Sequence, residues 1–201
     1  YIGCLGIYMA NNLDWIVEQL ERSSQVVQKM TRFCAHDILS ASKTIIEGLN
    51  AGKKVLWCGN GGSAGQAQHL SAELVCGLRS HNRPALASLS LTTDTSLISA
   101  WSNDVDYLSV FSRQLEALGQ SGDILIALST SGSSRNVLKV LKKAQLLDIY
   151  TIGLTGNHET EMKNLCDLTI AIPSKDTQRI QEGHILAGHL ICELIENHFI
   201  N

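Results

Sequence analysis

Val55-Leu56-Trp57-Cys58-Gly59-Asn60-Gly61-Gly62-Ser63 is an apolar run of strand length that empties into a glycine loop. The same pattern recurs in Ile124-Leu125-Ile126-Ala127-Leu128-Ser129-Thr130-Ser131-Gly132-Ser133-Ser134. Continuous apolar runs bounded by turn residues read as strands buried on both faces. Glycines let backbone N–H groups approach a ligand, and hydroxyls add donors that carry no charge. Where such a loop feeds a helix, the free amides and the positive end of the helix dipole favour an anion, most often a phosphate. Two such loops suggest a phosphorylated metabolite held at the strand ends of an open sheet.

Outward from these loops the pattern is regular. From Lys54 onward, strands are expected near 54–58, 85–89, 123–128, 149–154 and 168–172, with helices near 63–77, 94–102, 105–118, 134–147 and 178–198. This alternation predicts an α/β, three-layer architecture, with a five-stranded parallel sheet flanked by helices. The two prolines, Pro84 and Pro173, both lie beside predicted strands. From about Asn12 to Leu49 the pattern is helical, with Leu13, Ile16, Val17, Leu20, Ile38, Ile45 and Ile46 at helical intervals and no proline between them. Asn50-Ala51-Gly52 then stops the helix. That is more apolar helix than one such sheet needs for cover, so the N-terminal helices are expected to pack on another subunit. Residues 1–8 read as a short leader, non-native or flexible, with Met9 as a possible start and residues 9–201 as a single domain.

Composition narrows the function classes. The 201 residues are 44% hydrophobic and 17% charged, as in an ordinary globular enzyme. A net charge of −3 argues against generic nucleic-acid binding. The one compact basic cluster, Lys139, Lys142 and Lys143, has the spacing of a solvated helix face. Six cysteines without a CxxC pair, several inside apolar runs, indicate reduced thiols and a cytoplasmic protein. No apolar stretch reaches the roughly 18 residues that a membrane span requires.

Candidate chemistry falls on two helical segments. His69 and Glu73 are spaced i, i+4 and share one helix face, where they could bind a metal, share a proton or simply form a solvated polar pair. The last helix carries Gln181, Glu182, His184 and His189. Gln181 and His189 are eight residues apart, about 12 Å of helical rise, so they meet one ligand only if their side chains converge. Asn103-Asp104 lies between two helical stretches and also suits a turn or an N-cap. Gly59-Asn60-Gly61-Gly62-Ser63-Ala64 satisfies the dinucleotide fingerprint GxGxxA. No acidic residue follows at the end of a second strand, however, since Asp94 is too distant and Glu73 lies within the first helix.

Taken in order, Cys58-Gly59-Asn60-Gly61-Gly62-Ser63, His69xxxGlu73, Asn103-Asp104, Ser129-Thr130-Ser131-Gly132-Ser133-Ser134, Leu154-Thr155-Gly156 and Arg179-Ile180-Gln181-Glu182xHis184…His189 resemble the phosphoheptose isomerases, which are sugar isomerase (SIS) domain proteins. The resemblance runs from about Asn12 to the C-terminus. It implies a homotetramer with active sites at subunit interfaces and conversion of sedoheptulose 7-phosphate to D-glycero-D-manno-heptose 7-phosphate, toward the heptose of bacterial lipopolysaccharide or another surface glycan. By the same resemblance the phosphate site falls on Ser129, Thr130, Ser131 and Ser134, and sugar contacts fall on Asn60, Gly61, Gly62, Glu73, Asn103, Asp104 and Gln181. One zinc ion per subunit is implied, with His69, Glu73, Gln181 and His189 as ligands, and Glu73 and His189 as base and acid. The segment between Glu73 and Pro84 departs from the family's tyrosine-containing spacing, so the resemblance gives Arg79 and Arg83 no role. Non-catalytic SIS relatives of the replication initiator-associating type share the loops but lack the glutamate and the final histidine, both present here. A phosphosugar-binding module, or an isomerase of another phosphosugar, is the alternative.

Overall fold

The computed structural model describes residues 2–157 and 159–200, with side chains from residue 12 onward, so the expected leader over residues 1–8 lies outside the described side chains. Five strands, β1 (Val55–Gly59), β2 (Ser88–Ser90), β3 (Ile124–Leu128), β4 (Tyr150–Gly156) and β5 (Leu168–Ile172), form one sheet in the order β2-β1-β3-β4-β5. All neighbours pair in parallel, with Val55 opposite Ile124 and Gly59 opposite Leu128 in the central pair. Every residue of β1 and β3 is buried, as expected for strands covered on both faces.

The period-2 alternation of these runs supplies two cores at once. Val55 and Trp57, with Ile124, Ile126 and Leu128, face the helices α2 (Ala35–Asn50), α3 (Gly62–Cys76) and α8 (Thr177–Phe199). Leu56, Cys58, Leu125 and Ala127 face α5 (Val110–Leu118) and α6 (Arg135–Leu146), with α4 (Thr95–Asp104) and α7 (Glu161–Leu165) packed at the margin of that layer. The expected three-layer α/β architecture is therefore present.

Four local features differ from the pattern read along the chain, the first being that the helix expected over 105–118 begins only at Val110, where Asp106 accepts from the Ser109 amide and hydroxyl in the preceding turn. The N-terminal helical stretch is two helices, α1 (Ile2–Phe33) and α2, divided at Cys34. Cys34 is fully buried and its thiol donates to the Ala171 carbonyl of β5 at 3.5 Å. Both helices pack against α8 and β5 on either side of this turn, which no proline or glycine marks in the sequence. Strand β2 is only three residues and begins at Ser88 rather than 85. Helix α7 has five residues, with Met162 buried, and is too short for its periodicity to register.

The five cysteines among the described residues are free. Burial pushes the Cys34 thiol up to about 11 and the Cys192 thiol up to about 12, so both serve as small buried hydrophobes.

His184, wholly buried on α8, has its pKa pushed down to about 4 by burial, with the backbone of Thr155 opposing the shift. The unfolded chain, with an ordinary histidine near pH 6.5, therefore takes up a proton that the folded chain refuses between those values. His184 contributes stability above about pH 6.5 that is lost as pH falls toward 4, on the order of 3 kcal/mol in all. Denaturant unfolding at pH 7 and 4.5 is expected to show His184→Gln losing roughly 2 kcal/mol less than the parent over that interval. Equal losses would refute the assignment.

Candidate functional site

From β1 the chain departs to β2 on one side of the sheet, and from β3 to β4 and β5 on the other. The crevice at the carboxyl ends of β1 and β3 is thus the topological switch point, where open α/β sheets bind ligands. Both sequence-marked loops open onto it. Asn60 and Gly61 connect β1 to the N-terminus of α3, and Ser129 to Ser134 connect β3 to the N-terminus of α6. Each loop thereby presents a helix N-terminus, with its unpaired amides, to the same crevice.

Within the serine loop the hydroxyls are already organised. The Ser129 and Ser134 hydroxyls lie 3.1 Å apart, while the Ser133 amide and hydroxyl donate to Ser131 Oγ at 3.3 and 3.0 Å. Ser129 is buried, Thr130 and Ser134 are half-buried, and Ser131 is exposed. The two loops are joined by a clasp that the sequence did not reveal. The side-chain amides of Asn60 and Asn136 exchange two hydrogen bonds of 2.8 Å, and the Tyr107 hydroxyl donates to Asn60 Oδ1 at 2.9 Å. Asn136 is buried and also caps the Val137 amide at 3.0 Å. Only its place just after the serine loop could have drawn attention to it.

The second constellation lies between α3 and α8. Contacts pair Gly62 with Gln181, Leu70 with Gly188 and Leu78 with Glu196, so the two helices run side by side in one direction. The approach is close enough that a Cβ at Gly188 would come within 2.4 Å of Leu70. Here His69 Nε2 and His189 Nε2 are 2.8 Å apart, and His69 Nε2 is 3.2 Å from Glu73 Oε1. One potential ligand atom from each of His69, Glu73 and His189 lies within 4.8 Å of the others. His69 is exposed, whereas Glu73 and His189 are half-buried. Two imidazole nitrogens and one carboxylate oxygen converging on a point are a donor set that suits zinc and leaves a position open. The same three groups also suit proton transfer.

Other expected site residues take different places. The Gln181 side-chain amide lies against Gly62, where a Cβ would meet Nε2 at 2.4 Å, and the Gln181 backbone carbonyl accepts from Gln66 Nε2 at 2.8 Å. It therefore borders the glycine loop, two helical turns before His189. Asn103 and Asp104 end α4, exposed and hydrogen-bonded to each other at 2.8 Å, shortly before Tyr107. Arg179 is buried and ties α8 to α1 through the Gln19 carbonyl at 2.9 Å. Arg79 pairs with Glu193 in the open, and Arg83 is buried against Glu196.

Residues 19–156 match the family described as the SIS domain. The chain is 49% identical to the phosphoheptose isomerase of Akkermansia muciniphila over 162 residues, covering 81% of this chain and 85% of that protein. It is 46% identical to the phosphoheptose isomerase of Aliarcobacter butzleri over 182 residues, covering 90% and 96%. Among solved structures, the phosphoheptose isomerase of Francisella tularensis superposes with a TM-score of 0.89 at 34% identity, covering 92% of this chain and 98% of that one. The enzyme from Neisseria gonorrhoeae gives 0.86 at 35%, with the same coverage.

The clasp between the loops can be measured directly. Removing either partner leaves amide groups of the other unsatisfied, which costs about 1–3 kcal/mol where they are buried. Asn136→Ala is expected to lower unfolding stability by that amount. A double-mutant cycle with Asn60→Ala should give a coupling of about 1 kcal/mol or more, and additive losses would show that the pair is not coupled.

Proposed function

The chain belongs to the phosphoheptose isomerase family of SIS-domain proteins, and from that premise we propose that it converts sedoheptulose 7-phosphate to D-glycero-D-manno-heptose 7-phosphate at the crevice between its two loops. The observation that carries this reading is the convergence of His69, Glu73 and His189 on α3 and α8, α3 being the helix that the glycine loop opens. A binding module has no use for a carboxylate and two imidazoles held together in this way. A ketose–aldose isomerase needs such groups, because a proton must leave C1 and arrive at C2 through an enediol.

Ser129, Thr130, Ser131 and Ser134 hold the phosphate with amides at the start of α6. Neutral donors and a helix dipole suit a dianion without burying a cation. Asn60, Gly61, Gly62, Asn103, Asp104 and Gln181 contact the sugar, and anchoring at the phosphate orients C1 and C2. Glu73 takes the proton from C1 and returns it to C2. His189 donates to the carbonyl oxygen and recovers a proton from the other hydroxyl, so the hydroxyl hydrogen moves from O1 to O2. His69, Glu73 and His189 would hold zinc, Glu73 and His189 then serving as ligands in one state and as base and acid in another, with Gln181 joining them only if its side chain extends along α8. A bound zinc ion supplies Lewis-acid stabilisation of charge on the sugar oxygens.

The active form is proposed to be a homotetramer with active sites at subunit interfaces. Supporting this, Trp15 and Leu20 of α1 are 60% and 66% exposed, and an apolar groove of about 430 Å³ is lined by Val27, Met30, Ile38, Leu186, Leu190 and Leu194. Leu190 and Leu194 follow His189 on α8, so a second copy seated in this groove would lie on the helix that carries it. No helix among the described residues is long and apolar enough to cross a membrane, and we place the reaction in the cytoplasm, feeding a surface glycan.

Glu73→Gln retains the size of the side chain but cannot accept a proton. It is expected to bind substrate while losing about 10²–10⁴-fold in kcat, read by turnover of sedoheptulose 7-phosphate. Metal analysis of both proteins then separates base from ligand. Activity lost with metal retained marks a base, and joint loss marks a ligand. Near-normal turnover would overturn the catalytic assignment and favour a binding module.

Light scattering of the full chain is expected to give a mass four times that of the subunit. A monomer at micromolar concentration would defeat the interface assignment.

A further inference from the structure

Glu73 occupies a weak position for a group that must be placed accurately. It lies in the last turn of α3, which ends at Cys76, and Gly77 breaks the helix with φ = 113°. Helix ends fray, because few intrahelical bonds lie beyond the last turn. Here the Glu73 carbonyl accepts twice, from the Gly77 amide at 3.1 Å and from Arg83 Nη2 at 2.7 Å. The same guanidinium donates through Nη1 to the Pro84 carbonyl at 2.8 Å and through Nε to Glu196 Oε2 at 3.1 Å. Both side chains of this ion pair are buried, Arg83 at 1% and Glu196 at 2% exposure. The Glu196 carboxylate also accepts three successive amides of the segment after α3, from Leu78 at 2.8 Å, Arg79 at 2.7 Å and Ser80 at 3.1 Å.

Glu196 stands seven residues after His189 on α8, two turns along the same helix face. Helix α8 thus carries one member of the triad and, further along, the anchor that fixes the end of the helix bearing the other two. We propose that Arg83 and Glu196 are positioning residues, a buried clamp that fixes Glu73 and its helix end relative to His189. The clamp acts through the backbone carbonyl of Glu73. It rests on the reading of Glu73 as a catalytic and metal-binding carboxylate. The neighbouring Arg79–Glu193 pair links the same two segments at the surface, with Arg79 69% exposed, and supplies an internal comparison.

Arg83→Lys keeps the charge but loses the planar fork that reaches three acceptors at once. Glu196→Gln keeps the shape but loses the anion that collects the amides. With rates referred to folded protein, Arg83→Lys is expected to lower kcat for sedoheptulose 7-phosphate by about tenfold or more, with KM within about twofold. Zinc affinity, read by competition with a chromogenic chelator, should fall by about tenfold. Glu196→Gln should do the same, so one variant decides if the other does not fold. Arg79→Ala should leave both measurements within about twofold of the parent. A merely structural pair would lower the melting temperature and leave kcat and zinc affinity alone. Parental kcat and zinc affinity in folded Arg83→Lys, alongside an inactive Glu73→Gln, would overturn the clamp while leaving the proposed chemistry standing. If Glu73→Gln itself stays active, the catalytic reading of Glu73 fails, and the zinc competition still decides the clamp.

Discussion

Close packing of α3 against α8 is the constraint on which the rest of this structure depends. The two helices come from opposite ends of the sheet-forming region, yet Gly188 allows Leu70 to approach at a distance no larger residue would permit. Gly62 does the same for Gln181 at the start of the pair. That approach brings His69 within 2.8 Å of His189, and Glu196 under the segment that follows Glu73. Apolar side chains between the helices and the sheet, among them Leu70, Leu74, Ile180, Ile191 and Ile195, supply the driving force for docking. The polar groups at the edge of that contact are a consequence of it.

The crevice itself is set by a different part of the fold. Strand order alone puts the glycine and serine loops side by side, and parallel pairing of β1 with β3 in register puts their ends at one level. Two helix N-termini then face the same space. The serine loop offers that space neutral hydroxyls and backbone amides, a donor set that suits an anion. The Asn60–Asn136 clasp ties the two loops together across the crevice.

Surface character follows the same division. The crevice and its loops are polar, while α1 and one side of α8 expose Leu13, Trp15, Leu20, Leu190 and Leu194. A cavity of about 480 Å³ lies at the amino-terminal ends of the strands, lined by Glu47, Asp148 and Asp167 among others, on the far side of the sheet from the loops. The triad by contrast sits on an open helix face with His69 exposed. The exposed leucines of α8 form part of the apolar surface that the groove against α1 and α2 continues.

What the sequence by itself determined is whatever depends on neighbours along the chain. The strand runs 55–59 and 124–128, their loops, the helices that follow and the i, i+4 pair His69/Glu73 were all legible, because periodicity and turn chemistry are local. The bend at Cys34 was not, since it answers to a carbonyl on β5 more than a hundred residues away. Nor was the Asn60–Asn136 clasp, the buried Arg83–Glu196 pair or the meeting of His69 with His189, each a contact between segments that share no pattern. The family resemblance implied His69, Glu73, Gln181 and His189 as ligands of one ion, but only the packing of α3 on α8 says how close His69, Glu73 and His189 lie and what holds them there. Tertiary structure decided these points because a buried charge or amide is settled by whichever group fills the space opposite it, and that group is chosen by the fold rather than by the sequence nearby.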